Sequence, residues 1–496
     1  MWENRCIRQR CCERDGCSMT PFGQMLKDLI TESGEGISRI ASLSRIDRPT
    51  IYKYISGDRM PTKEGLSRLL DVVKATAEEK RNLIAQYELE NEGEVIYYQR
   101  QAIKCLLESL GTINVWDSSS STHRTPEVSA QNDSSSPISV LRSKSAVLSE
   151  LLHAVSAEQC EICIFPGIPT ETLHFIIDTV SRESKNSLPI RHVWSYPKQI
   201  QSDRDVQRCI EGLSDAITFS MSPNINYQTY YIYESGNILP SEANVFPYTI
   251  VFSQLILQLD PDATCAIAMR SLEVIEIYRD RFNQMVSTGQ VLVSSGADAT
   301  KAIASFSQME QQSGQIYKTM LQPCLPRFAS DETVDRVLSQ IGKHNADMAA
   351  QMMERVELLR QADNDKAVFS EQGITLFAEK GYVEDLPDLL YEAITREERA
   401  GILRGLRAYC SSHECRMLRS SGLQISKNVM VEICRDTGVA FVLTDKTEHR
   451  VAVIKEDGVV KAFCDFMEYL FRSEHVASRE ETVSMIDRYI GYLEKK

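Results

Sequence analysis

Residues Ile37–Pro61, ISRIASLSRIDRPTIYKYISGDRMP, predict two short helices joined by a tight turn. Asp47 is suited to cap the second helix, because Asp is a favoured N-cap and the N–H of Thr50, three positions later, can reach its carboxylate. Pro49 falls in the first helical turn, where a missing N–H costs nothing, and Gly57 is suited to the left-handed backbone that ends many helices. The stretch therefore predicts a helix-turn-helix arrangement.

The first predicted helix covers Ile37 to Leu43 and the second begins at Arg48. Ile51 and Ile55 lie four positions apart, so they share the inward face of the second helix. Five residues are then left on its outer or leading surface: Arg48, Pro49, Thr50, Tyr52 and Lys53. Polar and basic side chains displayed in this layout are typical of a helix that reads the major groove of DNA.

The segment resembles the lambda repressor/Cro-like (XRE-type) DNA-binding domains over residues 19–80. The matching residues are Ile40-Ala41, Ile46-Asp47-Arg48-Pro49-Thr50-Ile51, Gly57, Arg59-Met60-Pro61 and the Leu66/Leu69/Leu70 face. The resemblance implies an all-α domain of five helices whose third helix enters the major groove of double-stranded DNA. It departs from the family pattern at Arg45, where the turn usually has Gly, at Ile37, where a polar residue usually opens the helix, and at Ile55, where an acidic residue is common.

The resemblance also implies roles for individual side chains. The residues expected to approach base edges are Arg48, Pro49, Thr50, Tyr52 and Lys53, and those expected to contact phosphates are Ser38, Arg45, Arg59 and Lys63. Charge supports this interpretation over a purely structural helix pair. Between Ile37 and Lys63 there are six basic residues and two acidic ones, whereas the whole chain has a net charge of −14. A local positive stripe on an acidic protein is what binding to phosphates requires.

Composition limits the class of protein. The 496 residues are 43% hydrophobic and 25% charged, which is typical of a globular chain with about three domains. The absence of a long apolar run and of an apolar signal segment predicts a cytoplasmic protein without membrane contact. The 14 cysteines are scattered and mostly in apolar runs, which predicts reduced thiols. Their spacing favours no metal site.

The chain is predicted to be an α+β multidomain protein, with an N-terminal all-α helix-turn-helix domain followed by a large α/β body. Its predicted segments are a basic, Cys-rich, disordered leader (1–18), the helix-turn-helix domain (19–80), a helical connector (81–116), a Ser-rich flexible linker (117–137), an α/β domain (138–296), a helical segment (297–370) and a C-terminal α/β domain (371–496). The first α/β segment includes a predicted strand at Ala216–Met221. Whether the two α/β segments form one domain is left open.

Sequence motifs for catalysis are missing. The chain has no phosphate-binding loop, dinucleotide fingerprint, zinc-hydrolase motif or nucleophile elbow, so no catalytic residue and no cofactor are predicted. The aromatic run Tyr227–Tyr233 fits a packed strand better than a pocket wall.

The sequence therefore predicts a homodimeric, DNA-binding transcription regulator that is not an enzyme. Its body would bind a small-molecule or protein effector. The alternatives are a DNA-tethered enzyme whose catalytic residues are not contiguous in sequence, and a phage-defence or toxin-antitoxin scaffold with an autoregulatory DNA-binding head.

Overall fold

The structure is a computed structural model of the chain. It describes residues 19–110, 136–158, 160–183, 188–198, 202–222, 225–233, 244–296, 308–362, 365–384, 386, 388–419, 422–425, 429–444 and 449–495. The predicted leader and nearly all of the predicted linker lie outside these residues. The chain divides into two compact units, Met1–Tyr98 and Gln99–Lys496.

The described part of the first unit is helical. Its helices are α1 (Pro21–Glu32), α2 (Ile37–Ser44), α3 (Arg48–Ser56), α4 (Lys63–Val72), α5 (Ala77–Glu92) and the beginning of α6 (Glu94–Ser109). The start of α2 at Ile37 and of α3 at Arg48 confirms the predicted helix positions.

Local hydrogen bonds explain where these helices begin. Thr20, Asp47, Thr62 and Thr76 each stand just before a helix and accept a hydrogen bond from the backbone N–H three residues later. Gly57 ends α3 with a φ of 82°, a left-handed conformation that glycine adopts without steric cost. The predicted caps at Asp47 and Gly57 are therefore confirmed.

The core of the first unit includes part of the predicted connector. Leu83 and Tyr87 on α5 are buried in the same apolar cluster as Phe22 and Ile51. The Tyr87 hydroxyl also donates a hydrogen bond to the carbonyl of Pro61 at 3.0 Å. The first unit therefore extends past the predicted boundary at residue 80, because α5 completes its core.

The second unit is an α/β body. Its strands are β1 (Ile138–Leu141), β2 (Ile162–Ile164), β3 (Pro189–Tyr196), β4 (Asn226–Tyr233), β5 (Tyr248–Val251), β6 (Ile256–Leu259), β7 (Ala266–Met269), β8 (Gln290–Gly296), β9 (Ile316–Met320), β10 (Asp365–Ser370), β11 (Cys415–Leu418), β12 (Val429–Cys434), β13 (Gly438–Thr444) and β14 (His449–Ile454). Its main helices are α7 (Lys144–Ala157), α8 (Thr170–Glu183), α9 (Asp203–Ser220), α10 (Leu272–Thr288), α11 (Asp331–Gly342), α12 (Ala346–Gln361), α13 (Glu371–Lys380), α14 (Arg396–Ser412), α15 (Asp457–Arg472) and α16 (Arg479–Glu494).

The strands form one 14-stranded sheet in the order β1-β7-β6-β5-β2-β3-β4-β8-β14-β13-β12-β9-β10-β11. Each half of the sheet contains three parallel strands, β2-β3-β4 in the first and β9-β10-β11 in the second. An antiparallel meander, β5-β6-β7 or β12-β13-β14, pairs with the first parallel strand of its half. The two halves thus repeat one strand order, and β8 joins them by pairing with both β4 and β14. The two predicted α/β segments therefore share a single sheet.

Both faces of the first half-sheet are covered. Ile162 and Ile164 on β2 face a cluster that includes Val147 of α7. Cys163, between them, faces the opposite cluster, which includes Phe282 of α10. This explains the short, continuously apolar strand, because parallel strands covered on both faces do not alternate polar and apolar residues.

Two secondary-structure predictions are wrong. Ala216–Met221 lies mostly in α9, because its apolar residues continue the helical spacing of the buried Val206, Ile210 and Leu213. The predicted helical segment 297–370 contains strands β9 and β10. β9 is buried along its whole length although its third residue is Lys318, which interrupts the apolar pattern expected of a buried strand.

Candidate functional site

The exposed face of α3 carries most of the predicted base-reading residues. Arg48, Pro49, Tyr52 and Lys53 are exposed, whereas Thr50 is only partly so. On the opposite side, Ile51 and Ile55 are buried, as the sequence predicts. One helix therefore presents two cations and an aromatic ring to solvent while its other face holds it in the core.

Thr50 has a second role at the start of α3. Its backbone N–H donates to Asp47 Oδ1 at 2.9 Å, and its hydroxyl donates to Asp47 Oδ2 at 2.8 Å. These two bonds lower the pKa of Asp47 below its ordinary value. Since the hydroxyl hydrogen is used in the cap, Thr50 can offer a DNA base only its lone pairs.

The predicted phosphate contacts differ in their surroundings. Ser38, Arg45 and Arg59 are exposed, and neither arginine forms an ion pair with another described residue. Lys63 is also exposed, but its Nζ lies 4.0 Å from Glu88 Oε1. Arg45 occupies the turn between α2 and α3 with a φ of 56°. Three of the four predicted contacts are thus available without breaking an ion pair within the described chain.

Close backbone packing holds α3 in place. Gly23 on α1 lies against the carbonyl of Ile55, and a Cβ added to Gly23 would collide with that oxygen. Since real side chains do not approach this closely, Gly23 is required for the contact between α1 and α3. The exposed face of α3 is therefore supported by a packed position on another helix.

A separate cleft of about 570 Å³ lies within the body. Its lining residues are Gln99 on α6, Tyr196, Pro197 and Lys198 at the end of β3, Val206, Cys209 and Ile210 on α9, Tyr233 at the end of β4, and Glu456, Asp457, Gly458, Val459, Lys461 and Ala462 at the start of α15. A cleft of this size is within the range of small-molecule sites. It brings together the ends of parallel strands from one half of the sheet and the first turn of a helix from the other half.

Tyrosine hydroxyls give this cleft its chemistry. Tyr233 donates to Glu456 Oε1 at 2.7 Å, and the same carboxylate accepts the N–H of Val459 at 2.6 Å. Tyr196 is 5% exposed, and its hydroxyl has no hydrogen-bond partner among the described residues. Burial raises the pKa of Tyr196 well above its ordinary value, and the neighbouring thiol of Cys209 raises it further. Tyr196 is therefore a neutral phenol that keeps an unused O–H donor beside the cleft.

The cleft was not predicted from the sequence, because its residues are far apart in the chain. The Tyr227–Tyr233 run was the available signal. Tyr227 and Tyr231 are buried, as expected of a packed strand, whereas Tyr233 lines the cleft. All three tyrosines lie on one face of β4, because residues two apart in a strand share a face, and Tyr233 reaches the cleft because it stands at the end of the strand.

A buried ionic cluster was not predicted either. Lys318 is fully buried, with its Nζ 2.8 Å from Glu310 Oε1 and 3.6 Å from Glu432 Oε2. Arg355 Nη1 lies 3.4 Å from Glu310 Oε2. Although burial raises the pKa of Glu310, the charges of Lys318 and Arg355 outweigh it and lower that pKa to about 2. Burial and the charge of Glu310 raise the pKa of Glu432 well above its ordinary value. The cluster is structural in character, because its buried cations and carboxyl groups pair with one another away from solvent.

The described residues contain no group of three or more His, Cys, Asp or Glu placed to hold a metal ion. None of the helices formed by these residues is both long enough and apolar enough to cross a membrane.

No family model and no curated protein matches the chain. Among solved structures, NucT from Helicobacter pylori matches 31% of this chain and 96% of its own at 12% identity, with a TM-score of 0.22. TrmBL2, an archaeal chromatin protein, matches 54% of this chain and 93% of its own, also at 12% identity and a TM-score of 0.22. Phosphatidylserine synthase from Haemophilus influenzae Rd KW20 matches 72% and 93% at 10% identity, with the same TM-score. Scores this low carry no argument about fold or function.

Proposed function

We propose that the chain is a cytoplasmic, sequence-specific transcription regulator of the XRE type that binds double-stranded DNA. The observation that carries the proposal is the exposed face of α3, where Arg48, Tyr52 and Lys53 project from a helix whose other face is buried. A capped helix preceded by a short helix and a tight turn is the geometry that recognises the major groove.

Electrostatics supports the same function. Arg45 and Arg59 flank α3 in sequence and are exposed without an ion-pair partner among the described residues. Exposed, unpaired cations on a chain of net charge −14 give a local attraction for phosphates that the acidic remainder does not supply. In the proposal these side chains hold the helix against the DNA backbone while α3 reads base edges.

The body is proposed to act as a sensor and not as an enzyme, and the regulator is proposed to act as a homodimer. A dimer places two copies of α3 on two half-sites of one operator, which explains how a helix as short as nine residues could achieve specificity.

DNA selection from a random duplex library, followed by binding titrations at several salt concentrations, tests the proposal. Lys53→Ala should reduce affinity for the selected sequence by about 1–3 kcal/mol while changing random-DNA binding little. Arg59→Ala should weaken binding to both DNAs and lower the salt slope by about one unit. Arg81→Ala removes an exposed charge from α5, outside the predicted DNA face, and is the matched control. Failure to select any sequence, or parental binding by both Lys53→Ala and Arg59→Ala, would refute the proposal.

A further inference from the structure

The cleft of the second unit gathers hydrogen-bond donors that have no acceptor among the described residues. The Tyr196 hydroxyl is buried without a partner, and its raised pKa keeps the proton in place. A buried donor without a partner is unfavourable in a folded protein, so its retention beside a cleft points to an acceptor supplied from outside.

The first turn of α15 adds further donors. This helix has 16 residues, and the N–H groups of Asp457 and Gly458 have no acceptor within it, because the carbonyls four residues earlier lie before the helix begins. The Glu456 carboxylate accepts hydrogen bonds from Val459 and Tyr233, and Glu456 and Asp457 place two carboxyl groups in a lining that also contains two lysines. The partial positive charge of the helix N-terminus adds to the preference for a negatively charged ligand.

Two ammonium groups lie at the rim. Lys198 and Lys461 line the cleft and are exposed, so both can turn towards a bound anion. Val206, Ile210 and Ala462 give the remaining wall an apolar surface suited to a hydrocarbon or aromatic group. The cleft therefore combines donors for an anionic end with an apolar wall for an organic body.

The cleft also contacts the helix that leads to the first unit. Gln99 lines it and directly follows Tyr98, where the first unit ends. The next residue, Arg100, donates to both carboxylate oxygens of Asp465 on α15 at 2.8 and 3.0 Å. A ligand seated here would touch both α6 and α15, whose mutual contact Arg100 maintains.

We infer that this cleft binds a small organic oxyanion, a carboxylate or a phosphate ester, and that its occupancy regulates DNA binding through α6. The regulatory part rests on the function proposed above, whereas the binding site does not.

Calorimetric titration of the full chain with benzoate and with phenyl phosphate tests the site, with benzyl alcohol as the neutral control. We expect saturable binding of at least one oxyanion and none of the alcohol. The oxyanion that binds with the higher affinity identifies which anionic group the cleft prefers. If neither oxyanion binds at a concentration of about 10 mM, any dissociation constant is too high for a specific site, and the proposed site is wrong.

Three variants locate the binding. Tyr196→Phe should weaken it about fivefold or more without lowering thermal stability, because the removed hydroxyl has no partner among the described residues of the free protein. The double variant Lys198→Ala/Lys461→Ala should weaken it about tenfold or more and reduce its salt dependence. Lys343→Ala removes an exposed lysine outside the cleft lining and should bind like the parent. Unchanged binding in both cleft variants would place the oxyanion elsewhere and refute the inference.

Regulation is tested by measuring DNA affinity with and without the saturating oxyanion. We expect the affinity to change, and we expect Arg100→Ala to bind the oxyanion while losing that response. An oxyanion that binds but leaves DNA affinity unchanged in the parent would refute the regulatory part alone. If the parent binds no DNA at all, the proposed function is wrong, but the oxyanion titrations still test the binding site independently.

Discussion

Arg45, in the turn between α2 and α3, is expected to lower the stability of the first unit through its backbone conformation and to strengthen DNA binding through its side chain. Its φ of 56° is a left-handed conformation, and its backbone N–H ends α2 by donating to the carbonyl of Ala41. An L-residue in this conformation destabilises the folded state by about 1–2 kcal/mol, and glycine removes that strain. Glycine also has a larger unfolded-state entropy, which lowers the free energy of unfolding by about 0.5–1 kcal/mol and offsets part of the gain. Arg45→Gly should therefore stabilise the first unit by about 0.5–1 kcal/mol.

The same substitution removes a side chain that is predicted to contact a phosphate. It should weaken binding to specific and random DNA alike and lower the salt slope by about 0.9, the change expected when one phosphate is no longer neutralised. Hydrogen exchange of the buried amides of α1–α5 in the full chain measures the stability, with exchange through unit opening slowed about two- to fivefold. DNA titrations at several salt concentrations measure the second effect.

Lys74 provides a matched control. It is exposed and also has a positive φ, 46°, but it lies between α4 and α5, outside the predicted DNA face. Lys74→Gly removes the same charge and relieves the same kind of strain, so it should stabilise the unit without changing DNA affinity. If Arg45→Gly keeps the parental affinity and salt slope, Arg45 does not contact a phosphate. If neither glycine variant slows exchange, the argument from backbone strain is wrong.

Two further substitutions test packing and buried charge. Gly23→Ala should destabilise the first unit by about 1–3 kcal/mol and weaken DNA binding, because its Cβ would collide with the Ile55 carbonyl, whereas Gly36→Ala has open space and should not collide. Equal hydrogen-exchange protection in these two variants would contradict the close packing of α1 and α3. Glu310→Gln should destabilise the body by about 3–5 kcal/mol at neutral pH, because it removes the buried negative charge that pairs with both Lys318 and Arg355. Glu432→Gln should cost much less, because the raised pKa of Glu432 already favours its neutral form. Because folding lowers the pKa of Glu310 to about 2, the stabilisation from its charged form is present above its ordinary pKa of 4.5 and is lost as the pH falls towards 2. The free energies of unfolding of the parent and of Glu310→Gln, measured with denaturant, should therefore converge in acid.

The sequence by itself was sufficient for α2, α3 and the turn between them. The Asp47 cap, the bond from Thr50 and the glycine end of α3 all join groups a few residues apart, so they follow from local backbone geometry whatever the rest of the chain does. The burial of Ile51 and Ile55 was predictable for the same reason, because helical periodicity places them on one face.

Tertiary structure decided the architecture of the body. β9 was not predicted because Lys318 interrupts its apolar pattern. The burial of that lysine becomes acceptable only when the carboxyl groups of Glu310, eight residues away, and of Glu432, on the neighbouring strand β12, lie beside it in the folded body. The continuous sheet also depends on long-range contacts, because the pairing of β8 with β14 joins residues more than 150 positions apart. Strand pairing depends on which edges meet in space, and local sequence contains little information about that choice.

The cleft shows the same limit. Gln99, Tyr196, Tyr233 and Glu456 come from four distant parts of the sequence, and no spacing rule connects them. The lack of a partner for the Tyr196 hydroxyl among the described residues is likewise a property of the folded environment and not of the residue. Local hydrogen bonds and periodicity therefore determined the helices of the first unit, whereas long-range packing alone created the cleft, because only the folded sheet brings its walls together.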